Sequence, residues 1–104
     1  MADLLKITND NFTEVVSSSD IAIINFSAHW CGPCRMFTPI LEELADSKPE
    51  ISVGKVATDE EMDLSSAYEI RSIPTTVVFK GGKEVHKFMG AQPMSYLENI
   101  LKEL

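Results

Sequence analysis

Residues 21–34 read IAIINFSAHWCGPC, a run of apolar residues that leads directly into two closely spaced cysteines. The first six residues, from Ile21 to Phe26, are nearly all apolar and do not alternate with polar ones. Such a run is typical of a β-strand that is covered on both faces. We therefore expect a strand at the centre of a sheet, with Cys31 and Cys34 following its end.

The chain before this stretch predicts one strand and one helix. Leu4–Ile7 indicate an edge strand. Residues 12–16 have apolar side chains at helical spacing, and Asn9 and Asp10 are good caps ahead of them. The polar run Ser17–Asp20 is expected to end this helix.

The chain after the second cysteine continues the alternation of helix and strand. Apolar positions keep helical spacing as far as Ser47, and Pro39 inside this run is expected to bend the helix because it lacks an amide hydrogen. Residues 51–57 predict a second buried strand. Thr58 and Glu61 have the spacing of a capping box, which predicts the start of another helix.

The last third of the chain predicts a hairpin and a final helix. Residues 75–80 and 84–88 are separated by Gly81 and Gly82, the spacing of a tight antiparallel turn. A final amphipathic helix is expected to start near Pro93, with its apolar face on the sheet. The order of elements predicts a small α/β sheet domain.

The length and net charge of the chain limit the number of domains and the kinds of partner that we expect. The chain has 104 residues and a net charge of −7, and Gly and Pro are spread out, so we expect one domain over residues 1–104. A chain of this size needs no disulfide to stabilise its core. Only two arginines and seven scattered lysines leave no basic stripe for nucleic acid or membrane surfaces. The N-terminal residues show no leader sequence, so we expect a cytoplasmic protein. We also expect a monomer.

The cysteine pair is placed for thiol chemistry. Cys31 and Cys34 fall between the predicted strand and helix, where unpaired amides and the helix dipole favour a thiolate at the more exposed sulfur. Cys31 is therefore the expected nucleophile. Gly32 and Pro33 let a partner backbone approach and stiffen the turn. Cys34, one turn inside the helix, is expected to be buried and to resolve a mixed disulfide.

Three other interpretations of the pair are two unreactive core cysteines, a static disulfide and half of a metal site. Unreactive cysteines rarely have this spacing at a strand-to-helix junction. A static bridge across so short a loop would stabilise the fold least. A zinc site needs four ligands, and the further donors are His29, His86 and carboxylates. We favour redox chemistry, and no metal is expected.

The sequence resembles the thioredoxin family over nearly its whole length. Five landmarks agree in order and spacing: Trp30-Cys31-Gly32-Pro33-Cys34, Pro39, Ile70-Arg71-Ser72-Ile73-Pro74-Thr75, Gly81-Gly82 and Gly90. The resemblance implies a thioredoxin fold, a central mixed five-stranded sheet flanked by four helices. It also implies a cis peptide before Pro74, beside the cysteine pair. The docking surface that it implies for extended peptides consists of Trp30, Gly32, Pro33, Ile73, Pro74, Gly90 and Ala91.

One position departs from the family pattern. Thioredoxins usually carry a buried aspartate where this chain has Asn25, and in the family that aspartate is held to act as a base for the resolving cysteine. Lys55, which matches the lysine that modulates the aspartate, loses its expected counter-charge. Mixed disulfides at Cys31 are therefore expected to persist longer. His29 is either a functional group, as a substitute base or an electrostatic tuner of Cys31, or, as we favour, a solvated flank of the site.

The resemblance implies a thiol-disulfide oxidoreductase that reduces disulfides in client proteins. No bound cofactor is expected. The chain has no glycine-rich dinucleotide fingerprint of its own, so the electrons would come from a partner, which the resemblance implies is a flavoprotein thioredoxin reductase using NADPH. Two alternatives are a binding or chaperone-like module without turnover and a disulfide oxidase or isomerase. The usual oxidising compartment of the last conflicts with the missing leader.

Overall fold

The computed structural model describes residues 4–104. Residues 1–3 belong to the N-terminal stretch from which we predicted that no leader is present, and they lie outside the described residues. Five strands and four helices follow one another along the chain. In order they are β1 (Leu5–Ile7), α1 (Phe12–Ser18), β2 (Ile21–Ser27), α2 (Gly32–Ser47), β3 (Ser52–Ala57), α3 (Met62–Ala67), β4 (Thr75–Lys80), β5 (Lys83–Met89) and α4 (Met94–Lys102).

The five strands form one mixed sheet in the order β1-β3-β2-β4-β5. Strands β1, β2 and β3 are parallel, whereas β4 and β5 are antiparallel to their neighbours. The strand predicted to be central, β2, lies in the middle and pairs on both sides. The predicted mixed five-stranded sheet with four helices is confirmed.

The two faces of the sheet carry separate hydrophobic clusters. One face packs against side chains of α1 and α3, and β2 contributes Ala22, Ile24 and Phe26 to it. The opposite face packs against α2 and α4, and Ile23 is its buried contribution from β2. Because side chains alternate along a strand, Asn25 lies on the same face as Ile23, the one that α2 covers.

The turn between β4 and β5 and the turn after β5 depend on glycine. Gly81 and Gly82 both have positive φ, 60° and 82°, which is the geometry of a two-residue hairpin turn that follows the strand twist. Gly90, with φ of 83°, donates its amide to the carbonyl of Pro74 at 2.8 Å. The peptide bond between Ile73 and Pro74 is cis, as the family resemblance implies.

Two predictions about helix starts were wrong. Helix α1 has Asn11 as its N-cap instead of Asn9 or Asp10, and the Asn11 side chain bonds back to the amide of Thr8 at 2.8 Å. The capping box of Thr58 and Glu61 does not form.

The reason is that both side chains of the expected capping box bond to distant parts of the chain. The Thr58 hydroxyl donates to the carbonyl of Ser27 at 3.3 Å, and the Glu61 carboxylate accepts from the amide of Asn9 at 2.8 Å. Helix α3 therefore starts after Glu61 without a side-chain cap. Distant hydrogen-bond partners thus compete with local helix capping for these two polar side chains.

No helix in the described part of the chain is long and apolar enough to cross a membrane.

The close approach of β1 to β3 requires glycine at position 54. A Cβ added to Gly54 would lie 2.5 Å from Cγ1 and 2.7 Å from Cδ1 of Ile7, a fully buried side chain. We predict that Gly54→Ala lowers the free energy of unfolding by about 1–3 kcal/mol, because the buried isoleucine has no space to move into. Urea denaturation measures the change.

Gly32→Ala provides the control, since a Cβ there would meet nothing within 4 Å. Its free energy of unfolding should stay within about 0.5 kcal/mol of the unsubstituted protein. Equal stability of the two variants would show that β1 can shift away from β3 at no cost.

Candidate active site

The two cysteines lie at the junction between β2 and α2, close to the start of the helix. Cys31 is the N-cap of α2, with an extended backbone, and the amide of Cys34 donates to its sulfur at 3.3 Å. Gly32 and Pro33 occupy the first helical positions between them. The sulfur of Cys31 thus accepts one of the hydrogen-bond donors that a helix start leaves unpaired, which favours a negative charge on it.

Burial distinguishes the two sulfurs. Both cysteines are free thiols, and the side chain of Cys31 is 8% exposed whereas that of Cys34 is 1% exposed. They pack with Ala28 and the half-buried Ile73, and the Cys31 sulfur lies 3.9 Å from the carbonyl of Ile73. An incoming disulfide can therefore reach Cys31 first.

The thiol of Cys34 is held in its neutral form. Burial, followed by the hydrogen bond to Cys31, raises the pKa of Cys34 from 9.0 to about 11, and the nearby charge of Cys31 adds to this rise. A backbone hydrogen bond from Ala28 and the positive charge of Lys55 lower the pKa in part. At neutral pH, Cys34 is a protonated thiol that needs help to attack.

The residues of the predicted docking surface differ in how far they are exposed to solvent. Trp30 is 65% exposed and borders, with Ile73, a shallow pocket next to Cys31. Gly32, Pro33 and Ala91 are exposed, Gly90 is half-buried and Pro74 is buried. The backbone bond between Gly90 and Pro74 brings the loop after β5 against the cis proline.

Polar side chains lie beneath the start of α2. Asn25 is 1% exposed and pairs in register with Lys55 of β3 and Thr76 of β4. Its amide donates to the Thr76 hydroxyl at 3.1 Å. The ammonium of Lys55 donates to the hydroxyl of Thr38, on α2, at 3.3 Å. The sheet therefore carries a polar patch on the face that α2 covers.

A cavity of about 230 Å³ opens beside this patch. Lys55 and the exposed His29 line it, together with the Ser27 side chain, whose buried hydroxyl has no hydrogen-bond partner in the described part of the chain. This position beside the site is compatible with either interpretation of His29. No group of three or more His, Cys, Asp or Glu side chains within residues 4–104 could hold a metal ion.

The sequence model of the thioredoxin family matches residues 3–103. The chain belongs to the thioredoxin family. Two curated members are a thioredoxin of Chlamydia pneumoniae, 40% identical over 97 residues, and thioredoxin 1 of a Nostoc species, 41% identical over 105 aligned positions. The matches cover 93% and 99% of this chain and 94% and 98% of those relatives.

Solved structures agree with this assignment. A mutant thioredoxin from Halobacterium salinarum superposes with a TM-score of 0.91 at 33% identity, over 97% of this chain and 89% of that one. Like other thioredoxin-family members, the chain is a protein disulfide oxidoreductase. The family acts on disulfide-containing substrates and works with thioredoxin reductase. A binding module without turnover is not favoured by these relatives.

Two features near the site were not predicted from the sequence. Thr38 bridges Lys55 and the carbonyl of Cys34, to which its hydroxyl donates at 3.0 Å. Met89 is 66% exposed and its sulfur lies 3.2 Å from the hydroxyl of Ser72, next to Ile73. For Thr38, its position one turn after Cys34 was the available signal. For Met89 we find none, because its place depends on the pairing of β4 with β5.

We predict that Cys34 stays protonated well above the ordinary range of a thiol. In a Cys31→Ser variant, the thiolate absorbance of the remaining cysteine should rise with a midpoint well above pH 9, because burial is the largest cause of the raised pKa and survives the substitution. The same variant unfolded in urea should titrate near pH 9. A native midpoint at or below pH 9 would contradict this account.

The raised pKa of Cys34 also predicts how stability depends on pH. Between about pH 9 and 11 the unfolded chain loses the Cys34 proton while the folded chain keeps it, so the stabilisation is complete below pH 9 and falls as pH rises toward 11. Cys34→Ala should lack this part of the alkaline loss of stability.

Proposed function

We propose that Cys31 is the nucleophile and Cys34 the resolving thiol in the reduction of disulfides in client proteins. The observation that carries this proposal is the hydrogen bond from the Cys34 amide to the Cys31 sulfur at the start of α2. It supports a thiolate at the more exposed sulfur, while burial keeps the second sulfur protonated until it is needed.

The reaction proceeds in two exchanges that transfer two electrons to the client. The Cys31 thiolate attacks one client sulfur, the bond between Cys31 and that sulfur forms, and the client disulfide breaks with release of one thiolate. Cys34 then loses its proton to the released thiolate or to solvent and attacks the Cys31 sulfur. The bond between Cys31 and Cys34 forms, the bond between Cys31 and the client sulfur breaks, and the second client sulfur departs as a thiolate.

The client surface is proposed to be the exposed rim of the site. The indole of Trp30 stands beside the half-buried Ile73, and Gly32 and Pro33 present backbone without a bulky side chain. Gly90, Ala91 and the buried Pro74 complete the proposed surface. Extended peptides suit such a rim, since open backbone groups can pair with those of the client.

A separate reductase must return the electrons, and thioredoxin reductase is the proposed donor. The disulfide formed between Cys31 and Cys34 is the species that it would reduce. We propose that a single domain works in this cycle as a monomer that carries electrons from donor to client. A reducing compartment such as the cytoplasm is the proposed setting, because glutathione and related systems keep thiols reduced there.

Substitution of each cysteine should separate the two exchanges. Cys31→Ser should abolish insulin disulfide reduction in the presence of dithiothreitol, because the remaining thiol, Cys34, is buried and protonated. Cys34→Ser should also abolish turnover but trap a covalent mixed disulfide with the client, visible by mass spectrometry. Trapping by Cys31→Ser and not by Cys34→Ser would reverse the assigned roles.

The direction of the reaction has its own measurement. The reduction potential of the pair, determined against glutathione, should be near that of reducing thioredoxins, on the order of −270 mV. A value near that of a strong oxidant, on the order of −120 mV, would favour the oxidase alternative. Retention of biological activity when both cysteines are serine would favour the binding module.

Asn25 gives a third prediction for the resolving step. Asn25→Asp should shorten the lifetime of the Cys31 mixed disulfide several-fold at neutral pH, because a carboxylate can accept the Cys34 proton and an amide cannot. It should also lower the stability, since a charge at this buried position must be desolvated.

Thr76→Val is the matched control for Asn25→Asp. It removes the hydrogen-bond partner of Asn25 without adding a carboxylate, so the lifetime of the mixed disulfide should not shorten. Asn25 would be a neutral replacement if Asn25→Asp left the rate of resolution unchanged from mildly acidic to alkaline pH.

A further inference from the structure

Lys55 lies opposite the buried Asn25 in the sheet and contacts a side chain of α2. Its ammonium donates to the hydroxyl of Thr38 at 3.3 Å, and that hydroxyl donates to the carbonyl of Cys34 at 3.0 Å. A hydroxyl can serve both neighbours at once, because it has one proton to donate and lone pairs to accept with. Residues 38 and 55 belong to α2 and β3, so this bridge joins the helix that carries Cys34 to the sheet below it.

We propose that Thr38 is a positioning residue for the resolving step, because its hydroxyl holds the Lys55 ammonium near Cys34, where the positive charge stabilises the attacking thiolate. This inference rests on the proposed function and deepens it. It assigns to a cation the assistance that a carboxylate base at position 25 would otherwise supply.

The carboxylates around the same cavity do not neutralise Lys55. Glu60 and Glu61 both line the cavity. The Glu60 carboxylate lies 4.0 Å from the ammonium of Lys6, and that of Glu61 accepts the amide of Asn9. Within residues 4–104, no carboxylate lies within ion-pair distance of Lys55.

His29 is the remaining titratable group of the cavity, and it is exposed. Its contribution is separated from that of Lys55 by substitution of each residue.

The mixed disulfide is the state in which this charge matters most. Two of the effects that raise the pKa of Cys34 come from the free Cys31 thiol or thiolate, and neither exists once the Cys31 sulfur is bonded to a client. Burial, which opposes the thiolate, and the positive charge of Lys55, which favours it, remain. In the resolving step, the Cys34 proton goes to the client thiolate or to solvent. The bond between Cys34 and Cys31 then forms as the client sulfur departs.

Stopped-flow mixing with an excess of a nitrophenyl disulfide, whose released thiolate is coloured, separates the two exchanges. Attack by Cys31 gives a first release that depends on reagent concentration, and resolution by Cys34 gives a second release that does not. The rate of the second release is measured from about pH 6 to about pH 12, by brief pH jumps at the alkaline end, in the unsubstituted protein and in each variant, so that the scan passes the raised pKa of Cys34.

Loss of the bridge should move the pH profile of the second release. In Thr38→Val and in Lys55→Gln, the half-maximal rate should occur about 0.5–1 pH unit higher, with resolution about three- to tenfold slower at neutral pH. All proteins should reach the same alkaline plateau, where Cys34 is ionised without help. A purely structural role would lower the plateau as well.

Three further variants complete the test. Thr38→Ser keeps the hydroxyl and should retain the original profile. Lys6→Gln removes a lysine of the same cavity that faces Glu60, and it should change nothing. The double variant Thr38→Val with Lys55→Gln should be no slower than Lys55→Gln alone, because Thr38 acts through Lys55. His29→Gln should leave the shift caused by Lys55→Gln intact.

The inference is overturned if Thr38→Val keeps the original profile, if it lowers the rate equally at every pH, or if its effect adds to that of Lys55→Gln. Complete absence of a second release in the unsubstituted protein would instead overturn the proposed function, and this inference with it.

Discussion

The strand β2 is hydrogen-bonded on both sides and covered on both faces, and the position of the reactive sulfurs depends on this. It pairs in parallel with β3 and antiparallel with β4. Phe26 is fully buried near its end, and Ala28 packs against both cysteines. Because β2 is fixed by pairing on both sides, the position at which the chain leaves the sheet toward α2 is also fixed. The first turn of α2 can then begin where the Cys34 amide reaches the Cys31 sulfur.

The same central position imposes a constraint on the chemistry. Any side chain of β2 that points under α2 is buried, so a carboxylate there is costly unless it is paired. Asn25 avoids this cost because its amide is satisfied by Thr76, but an amide cannot take the proton of Cys34. In our proposal the assistance comes from the neighbouring strand, where Lys55 is half-buried and borders a cavity.

Local sequence patterns predicted elements well where one physical cause dominated. The apolar run of β2, the paired glycines of the hairpin and the helical spacing after Cys34 each have a single simple cause: burial, positive φ and amphipathicity. Helix caps were predicted less well. Thr58 and Glu61 could form hydrogen bonds either within the helix start or with distant residues. In the structure Thr58 bonds to β2 and Glu61 bonds to the segment before α1.

The sequence by itself determined the alternation of strands and helices, the family and the placement of two cysteines at a strand-to-helix junction. These follow from periodicity and spacing, which are local properties of the chain. Only the tertiary structure decided that the ammonium of Lys55 meets the hydroxyl of Thr38, or that Met89 lies beside Ser72. Such contacts join residues 17 positions apart, and they depend on strand register and on how α2 lies across the sheet. Neither is encoded in a local pattern, because both result from the packing of all the elements together.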